Sequence, residues 1–462
     1  METAIAKETT PADAPEIRPG LGARWAVGIE FLRALAGLCF VPFSAVAYLM
    51  RRKHLALEVV CDLEERAKLA EIDDLQVPMD RPLKIFISAA EASGEIHATS
   101  LVRSLKAELA TLGAPAPILT GLGSERLASE GVRLVGNPVA RAAMGADVLG
   151  SLPFYMGLLA DVAQHLKDER PDLVIPVDSP ALHVPLGRLA KRTNARVVHF
   201  VAPQYWGWAP WRVRGYRKAV DTALAILPFE SIWFRRRRVD ARYVGHPLLD
   251  ALDDVPQTRA GLDGPLVLLP GSRESVIDRN LPWMLDVVKE LFLSIDEPLD
   301  VVLPHADERL VPLLNAHLEK AGAREMVRLA AGDLHATLAE ARAAFSVSGT
   351  VLIDLLHHRL PTVVIYRLNS AISAGPGRAF LTVPYFSSLN LLNGGRRVVP
   401  EYAFVGRGPF EEVVRDLRRA LGPGDWREAC QRALDHVSTR LGPPGAARRA
   451  ARQALSHVDP RV

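Results

Sequence analysis

Hydrophobic positions in this chain come in short runs from Leu83 onward. "KIFISA", "PDLVIPVD", "ARVVHFVAP", "TALAILPF" and "ARYVGHP" are each closed by turn residues, and helical stretches lie between several of them. Continuous apolar runs of this length predict strands buried on both faces. Their alternation with helices predicts a parallel sheet covered on both sides. A second series starts at "GPLVLLPGSRES" and continues through "LDVVLPHA", "RAAFSVSGTVLIDLLHHR" and "LPTVVIYRL". Between the two series, "ALDDVPQTRAGLDG" is rich in Asp, Pro and Gly and reads as a linker. The pattern therefore predicts an α/β chain with two sheet domains, over 83–255 and 262–410. An extension over 1–82 precedes them, and helices over 411–462 are expected to pack back across them.

Upstream of Leu83 the pattern changes. Residues 1–20 are polar, and "ALAGLCFVPFSAVAYLM" (Ala34 to Met50) is free of charge and closed by Arg51-Arg52-Lys53. A spanning helix needs about 20 apolar residues, so this one is marginal, and Pro42 should kink it. The acidic prefix, with Glu2, Glu8, Asp13 and Glu16, argues against a cleaved signal. Three readings stay open for residues 26–50. One is a membrane anchor whose basic triplet holds the downstream domain on the cytoplasmic side. Another is a helix lying in the interface, with Glu30 and Arg33 on its polar face. The third is a helix buried against the main domain. Membrane association is the favoured reading. Residues 55–76 predict a charged helix leading into the globular part.

The length of 462 residues fits two or three domains, and 49% hydrophobic with 24% charged residues fits a folded chain. A net charge of +3 does not point to nucleic acid. Cys39, Cys61 and Cys430 are far apart and form no CxxC, so a disulfide framework or structural zinc site is not expected.

Candidate chemistry sits where the runs end. "AAEASGE" places Glu91, Ser93, Gly94 and Glu95 between a strand and a helix. Small residues there let a ligand approach the backbone, while the acids argue against a plain phosphate cradle. Asp178 follows a buried strand, where a carboxylate can act as general base on a hydroxyl or simply cap the next helix. "LLPGSR" offers Gly271, Ser272 and Arg273, an arrangement suited to phosphate or to a plain surface turn. "SVSGTVLIDLL" puts Ser348, Gly349 and Thr350 at a helix start, with Asp354 one turn later. That start favours a diphosphate, and Asp354 can accept from ribose hydroxyls. "VAPQYWGWAPWRVRGYRK" gathers Trp206, Trp208 and Trp211 with Arg212, Arg214, Arg217 and Lys218. Such a set can bind sugars, lipid headgroups or single strands, and core packing accounts for one or two of the Trp. His246, before Pro247, either meets a phosphate or packs. Arg235 to Arg238 read as a solvated face or one that touches anionic lipid. GxSxG, HExxH, Walker A and GxGxxG patterns do not occur, which argues against the enzyme classes that use them.

Taken in order, these stretches resemble the lipid-A-disaccharide synthases, glycosyltransferases of GT-B fold. "AAEASGE" is similar to the family's AGEASGD, "AAMGADVLG" (with Met144) to MGxxEVL, and "IPVDSPALH" to IDxPDFN. "VAPQYWGWAPWRVR", "LPFE", "VGHPLLD", "LPGSR", "SGTVLID" and "SLNLLNGGRRVVPEY" follow collinearly. The resemblance covers Leu83 to the C-terminus. It implies two Rossmann-like domains facing a central cleft and inverting transfer of a 2,3-diacylglucosamine from UDP to 2,3-diacylglucosamine 1-phosphate. The product would carry a β-1′,6 linkage, and no metal or other cofactor is implied.

The resemblance also implies residue roles. Asp178 would be the general base, with Glu91 and Arg273 also catalytic. Gly271, Ser272, Ser348, Gly349, Thr350, Asp354, Asn390, Arg396, Glu401 and His246 would lie on the UDP-sugar side. Ser93, Gly94, Glu95, Met144 and Trp206 would lie on the acceptor side. The implied partners are the two lipid substrates and a membrane surface, at the cytoplasmic face of the inner membrane. Nucleic acid is not implied, and a homodimer is compatible. The chain departs from the pattern at Ala90, Glu95, Asp147, Ala181, His183, Val276 and Asp354. Ala181 and Val276 each remove an expected carboxylate. They keep open a related UDP-sugar transferase with another acceptor, or a UDP-sugar and lipid-binding paralogue without turnover. A UDP-N-acetylglucosamine epimerase fits the "AEASGE" and "WGWAPW" segments less well.

Overall fold

The computed structural model describes residues 18–143, 150–295, 297–368 and 380–459. They form two compact units. The first holds the chain up to Tyr48, Ala67–Pro247 and the residues from Gly445 on; the second holds Leu49–Arg66 and Leu248–Pro444.

The first unit is built on seven parallel strands. These are β1 (Lys84–Ala89), β2 (Ile118–Leu122), β3 (Arg133–Gly136), β4 (Leu173–Val177), β5 (Arg196–Phe200), β6 (Thr222–Ala225) and β7 (Asp240–Tyr243). Their order across the sheet is β3-β2-β1-β4-β5-β6-β7. Every residue of β4 and all but the first of β1 are buried, as expected of strands covered on both faces. The C-terminal helix Ala446–Leu455 packs on Ala92–Thr111. There the buried Glu108 accepts from Arg448 at 2.7 Å and Arg452 at 2.5 Å.

The second unit has six parallel strands: β8 (Leu266–Leu269), β9 (Val301–His305), β10 (Arg328–Ala331), β11 (Ala343–Val347), β12 (Thr362–Arg367) and β13 (Glu401–Phe404). Their order is β10-β9-β8-β11-β12-β13. The apolar face of the helix Glu274–Ser294, with Leu281, Met284 and Val288 fully buried, closes one side of its core around Phe345. In both sheets the winding direction reverses once, between β1 and β4 and between β8 and β11. Open α/β sheets leave a crevice at the carboxyl ends of the strands at such a point.

The N-terminal helix runs over Leu21–Glu64. It bends by 43° between Leu21–Gly37 and Cys39–Glu64. The expected kink at Pro42 therefore falls one turn upstream, because a proline ring clashes with the carbonyl four residues before it. No single described helix is long and apolar enough to cross a membrane, although the bent pair passes by length and composition. The helix expected over 55–76 stops at Glu64. Past it the backbone turns to the sheet edge, with Ala67 N–H donating to Pro228 O at 3.1 Å and Ala70 N–H to Tyr243 O at 2.8 Å. Open edge groups on β7 compete for this segment and end the helix.

Candidate active site

Two of the acids singled out in the sequence lie at the reversal point of the first sheet. Glu91 follows β1 as N-cap of the helix Ala92–Thr111, and Asp178 follows the neighbouring β4. Gly94 brings the two turns together. A Cβ there would lie 3.3 Å from Val177 O and 3.5 Å from the Asp178 Cβ, so a larger residue would push the turn away from Asp178. Ser179 Oγ donates to Glu91 Oε1 at 3.5 Å. Glu91 and Ser93 are exposed.

The backbone at this point is held out of its relaxed form. Asp178 (φ 58°), Ser179 (φ 40°) and Val201, just past β5 (φ 61°), all lie in the left-handed region. For a β-branched residue this is a genuine outlier. Such strain costs about 1–3 kcal/mol per residue and persists only where surrounding contacts impose it. Here those contacts can be named. Asp178 N–H donates to Phe200 O at 2.9 Å. The Asp178 carbonyl accepts from His183 Nδ1 at 2.6 Å and His199 Nε2 at 2.8 Å.

Burial lowers the pKa of His183 to about 4 and of His199 to about 3, so both rings are neutral near pH 7. A neutral ring that donates through Nδ1 must accept through Nε2. His183 therefore accepts from Ser88 Oγ at 2.8 Å. Among the described residues the Asp178 carboxyl meets only the N–H of Ser179 in its own turn. Burial pushes its pKa above the ordinary aspartate value and the Glu91 charge adds to this, while the Ser179 N–H opposes it.

Several expected acceptor-side residues do other work. Glu95 is buried and accepts from both the N–H of Ser124 and its Oγ, the latter at 2.7 Å. Its carboxylate braces the turn after β2 and is taken up by Ser124. Trp206 is also buried. Its Nε1 donates to Glu230 Oε1 at 3.0 Å and its ring meets Phe229 edge-on at 4.8 Å. It is a core residue, held by a carboxyl that burial pushes up to about 7. Trp208 is exposed, and Trp211 packs on Tyr48 of the N-terminal helix at 5.5 Å. Met144 and Asp147 lie outside the described residues. The helix Leu152–Glu169 that follows them buries Leu158, Leu159 and Val162.

The reversal point of the second sheet carries different groups. After β8, Gly271 has φ 119°, and a Cβ there would come within 2.5 Å of Val276 Cγ1. Only glycine serves this turn. It leads to the exposed Arg273, N-cap of the long helix Glu274–Ser294. Beside it, after β11, Gly349 and Thr350 are exposed and Ser348 Oγ donates to Phe386 O at 3.2 Å. Asp354 lies 3.9 Å from His335, and burial raises its pKa to about 6.

Asn390 and Glu401 are fully engaged within the chain. Asn390 Oδ1 accepts from the N–H groups of Val398 and Val399 at 2.7 and 3.0 Å. Glu401 accepts from Phe386 N–H at 2.6 Å, Ser387 N–H at 3.0 Å and Asn390 Nδ2 at 3.2 Å. They shape the loop beside Ser348 and leave no carboxylate or amide for a nucleotide. Arg396 is exposed and pairs with Glu64 at 3.1 Å. His246 belongs to the first unit, and burial lowers its pKa to about 3. Its ring is therefore neutral near pH 7, which does not favour a charge-based part toward a diphosphate. Sequence reading missed His199 and Ser88. The signal for His199 was a histidine inside the otherwise apolar run "ARVVHFVAP".

Known proteins resemble this chain in sequence and in fold. The family model described as lipid-A-disaccharide synthetase matches residues 85–407. The lipid-A-disaccharide synthase of Myxococcus xanthus is 36% identical, over 80% of this chain and 96% of its own length. That of Syntrophus aciditrophicus is 34% identical, over 79% and 94%. Among solved structures, a putative UDP-N-acetylglucosamine 2-epimerase from Listeria monocytogenes superposes with a TM-score of 0.55 at 15% identity, covering 79% of this chain and 94% of its own. Arabidopsis thaliana UGT89C1 complexed with UDP gives 0.51 at 11%, covering 82% and 100%. These structural likenesses concern the fold, which is GT-B-like. By its sequence the chain belongs to the lipid-A-disaccharide synthetase family of glycosyltransferases.

Proposed function

We propose that the protein transfers a 2,3-diacylglucosamine unit from UDP to the 6-hydroxyl of 2,3-diacylglucosamine 1-phosphate. Asp178 takes the hydroxyl proton as the oxygen attacks the anomeric carbon. The bond from that carbon to the diphosphate breaks, the centre inverts to a β-1′,6 linkage, and UDP leaves. Arg273 and the N–H groups of the Ser348-Gly349-Thr350 turn meet the charge that grows on the diphosphate. Asp354 accepts from the ribose hydroxyls. Glu91 orients the acceptor hydroxyls beside Asp178.

The observation that supports this reading best is the strained turn at Asp178. Its carbonyl is clamped by two neutral histidines, its backbone is left-handed, and among the described residues its carboxyl is met only by the N–H of Ser179 in its own turn. Stabilising that arrangement costs free energy that a mere helix cap would not need. The apolar N-terminal helix and the family membership support work at a membrane surface. We assign that surface to the cytoplasmic face of the inner membrane, with residues 26–50 in contact with it.

The test is incubation of the purified chain with UDP-2,3-diacylglucosamine and 2,3-diacylglucosamine 1-phosphate, following UDP release and the lipid product by mass spectrometry. Disaccharide 1-phosphate formed by the wild type supports the reading. UDP binding without disaccharide, across acyl lengths, would sink it and turn attention to Ala181 and Val276.

A further inference from the structure

Ten cationic side chains from four separated stretches converge on one hollow of about 960 Å³ in the first unit. Arg33 comes from the N-terminal helix, and Arg188, Lys191 and Arg192 from the helix Pro180–Lys191 and its C-cap. Three more follow Val213, and Arg236 to Arg238 close the hollow. No acid is among its lining residues. None of those residues belongs to either sheet reversal point.

Some of this charge is neutralised within the protein. Buried Glu30 pairs with Arg33 at 2.5 Å, Arg188 at 3.1 Å and Arg192 at 3.3 Å. Asp221 takes Lys191 at 2.6 Å. Arg214, Lys218 and Arg238 are exposed and have no ion-pair partner among the described residues. A concavity of one sign concentrates its field and draws anions.

The hollow adjoins an apolar surface. The Glu30 cluster pins the N-terminal helix to the unit, with Ala23, Val27 and Tyr48 buried beneath it. That helix then exposes Leu32, Leu35, Phe40, Phe43 and Val46 to solvent. Contiguous exposed apolar side chains of this size mark an interaction surface. Arg33, which lines the hollow, follows Leu32 directly and sits about 100° round the helix from it, so the hollow and the apolar face are borne by adjoining sides of one helix. The family match begins at residue 85, so this helix is outside it.

We propose that the hollow binds the phosphate groups of anionic phospholipid headgroups while the helix face beside it enters the acyl region. The apolar face supplies contact with any bilayer, and the hollow selects anionic ones. A soluble polyanion would explain the cations but not the apolar face. The proposal deepens the membrane-surface reading and rests on it. It does not depend on the transfer reaction, because its readout is partition and not turnover.

The test is flotation of the full-length protein with vesicles of phosphatidylcholine, with and without phosphatidylglycerol. It compares wild type, the triple variant Arg214→Gln/Lys218→Gln/Arg238→Gln, and Leu35→Ser/Phe43→Ser. Because all the substituted residues are exposed, circular dichroism and the thermal midpoint should match wild type. The triple variant should lose affinity for the anionic vesicles by about a hundredfold, at roughly tenfold or less per cation removed, and keep wild-type binding to neutral ones. Wild-type binding to anionic vesicles should weaken as salt rises. The apolar variant should lose binding to both. Equal binding of wild type and triple variant to anionic vesicles would overturn the headgroup site. So would inorganic phosphate, or a single-stranded oligonucleotide, binding the hollow as tightly as the vesicles do. Loss of all vesicle binding by wild type would instead overturn the membrane reading beneath it.

Discussion

The two sheet reversal points occupy the same place in their units and carry opposite chemistry. In the first unit, Asp178 and Glu91 flank the carboxyl ends of β4 and β1, over neutral buried histidines and strained backbone. In the second, Arg273 and the Ser348-Gly349-Thr350 turn flank β8 and β11, with glycine where the backbone turns tightly. In the proposed reaction one end takes a proton and the other holds an anion. A shared topology thus says where ligands go, while the residues at the strand ends decide what they are.

The comparison can be broken by mutation. The largest effect is expected for Asp178→Ala, which should cut kcat by about 10²–10⁴-fold, as loss of a general base does. A smaller loss of activity would leave Asp178 a helix cap. Arg273→Ala should cost about 10²–10³-fold in kcat/KM and weaken UDP, as loss of a charge-stabilising group does. Equal UDP affinity in that variant would remove the anion role.

Acidity sharpens the contrast next. Asp178 must be ionised to act, so kcat/KM should fall on acidification at a pH above the ordinary aspartate value of about 3.9. The same shift has a stability consequence. A carboxyl with a raised folded pKa holds its proton longer folded than unfolded, so its stability contribution is lost as pH rises through that pKa. Asp178→Asn should therefore raise the thermal midpoint at neutral pH and not at pH below about 3.9. An unchanged midpoint at neutral pH would contradict the burial of this carboxyl.

His183→Asn should lower kcat by about tenfold while leaving UDP affinity intact, since His183 acts through the Asp178 carbonyl. It should also flatten the loss of stability on acidification between the ordinary histidine value of about 6.5 and about 4. A histidine with a depressed folded pKa takes up its proton first in the unfolded chain, so stability falls as pH drops through that window. The smallest effect on chemistry is expected for Gly271→Ala, which should destabilise by about 1–3 kcal/mol through its φ and Val276. Chemical denaturation measures it.

The parallel sheets were legible because buried strands read as unbroken apolar runs between helices, and the turns at Glu91, Asp178, Arg273 and Ser348 were legible as strand ends. The commitments of individual side chains were less so. Glu95 looks free in "EASGE", yet its partner Ser124 is 29 residues away. Asn390 and Glu401 read as ligand groups, and only the folded loop shows that they bond to each other at 3.2 Å. Trp206 looked like a sugar platform until Glu230 and Phe229 enclosed it. Short-range pattern reports the backbone path, whereas the fate of a polar side chain depends on what the fold brings to it. The basic hollow is the same lesson in reverse: Arg235 to Arg238 read alone as a solvated face or one that touches anionic lipid, and only the fold brings three of them together with Arg33, Arg188 and Lys218.

The central claim is the division of labour between the two reversal points. Calorimetric titration of UDP into wild type, Asp178→Ala and Arg273→Ala tests it most directly. The account predicts that Asp178→Ala binds UDP as wild type does while Arg273→Ala binds it at least about tenfold more weakly, consistent with loss of a charge-assisted bidentate contact. If Asp178→Ala weakened UDP as much as Arg273→Ala, or if Arg273→Ala left it unchanged, the division would be wrong.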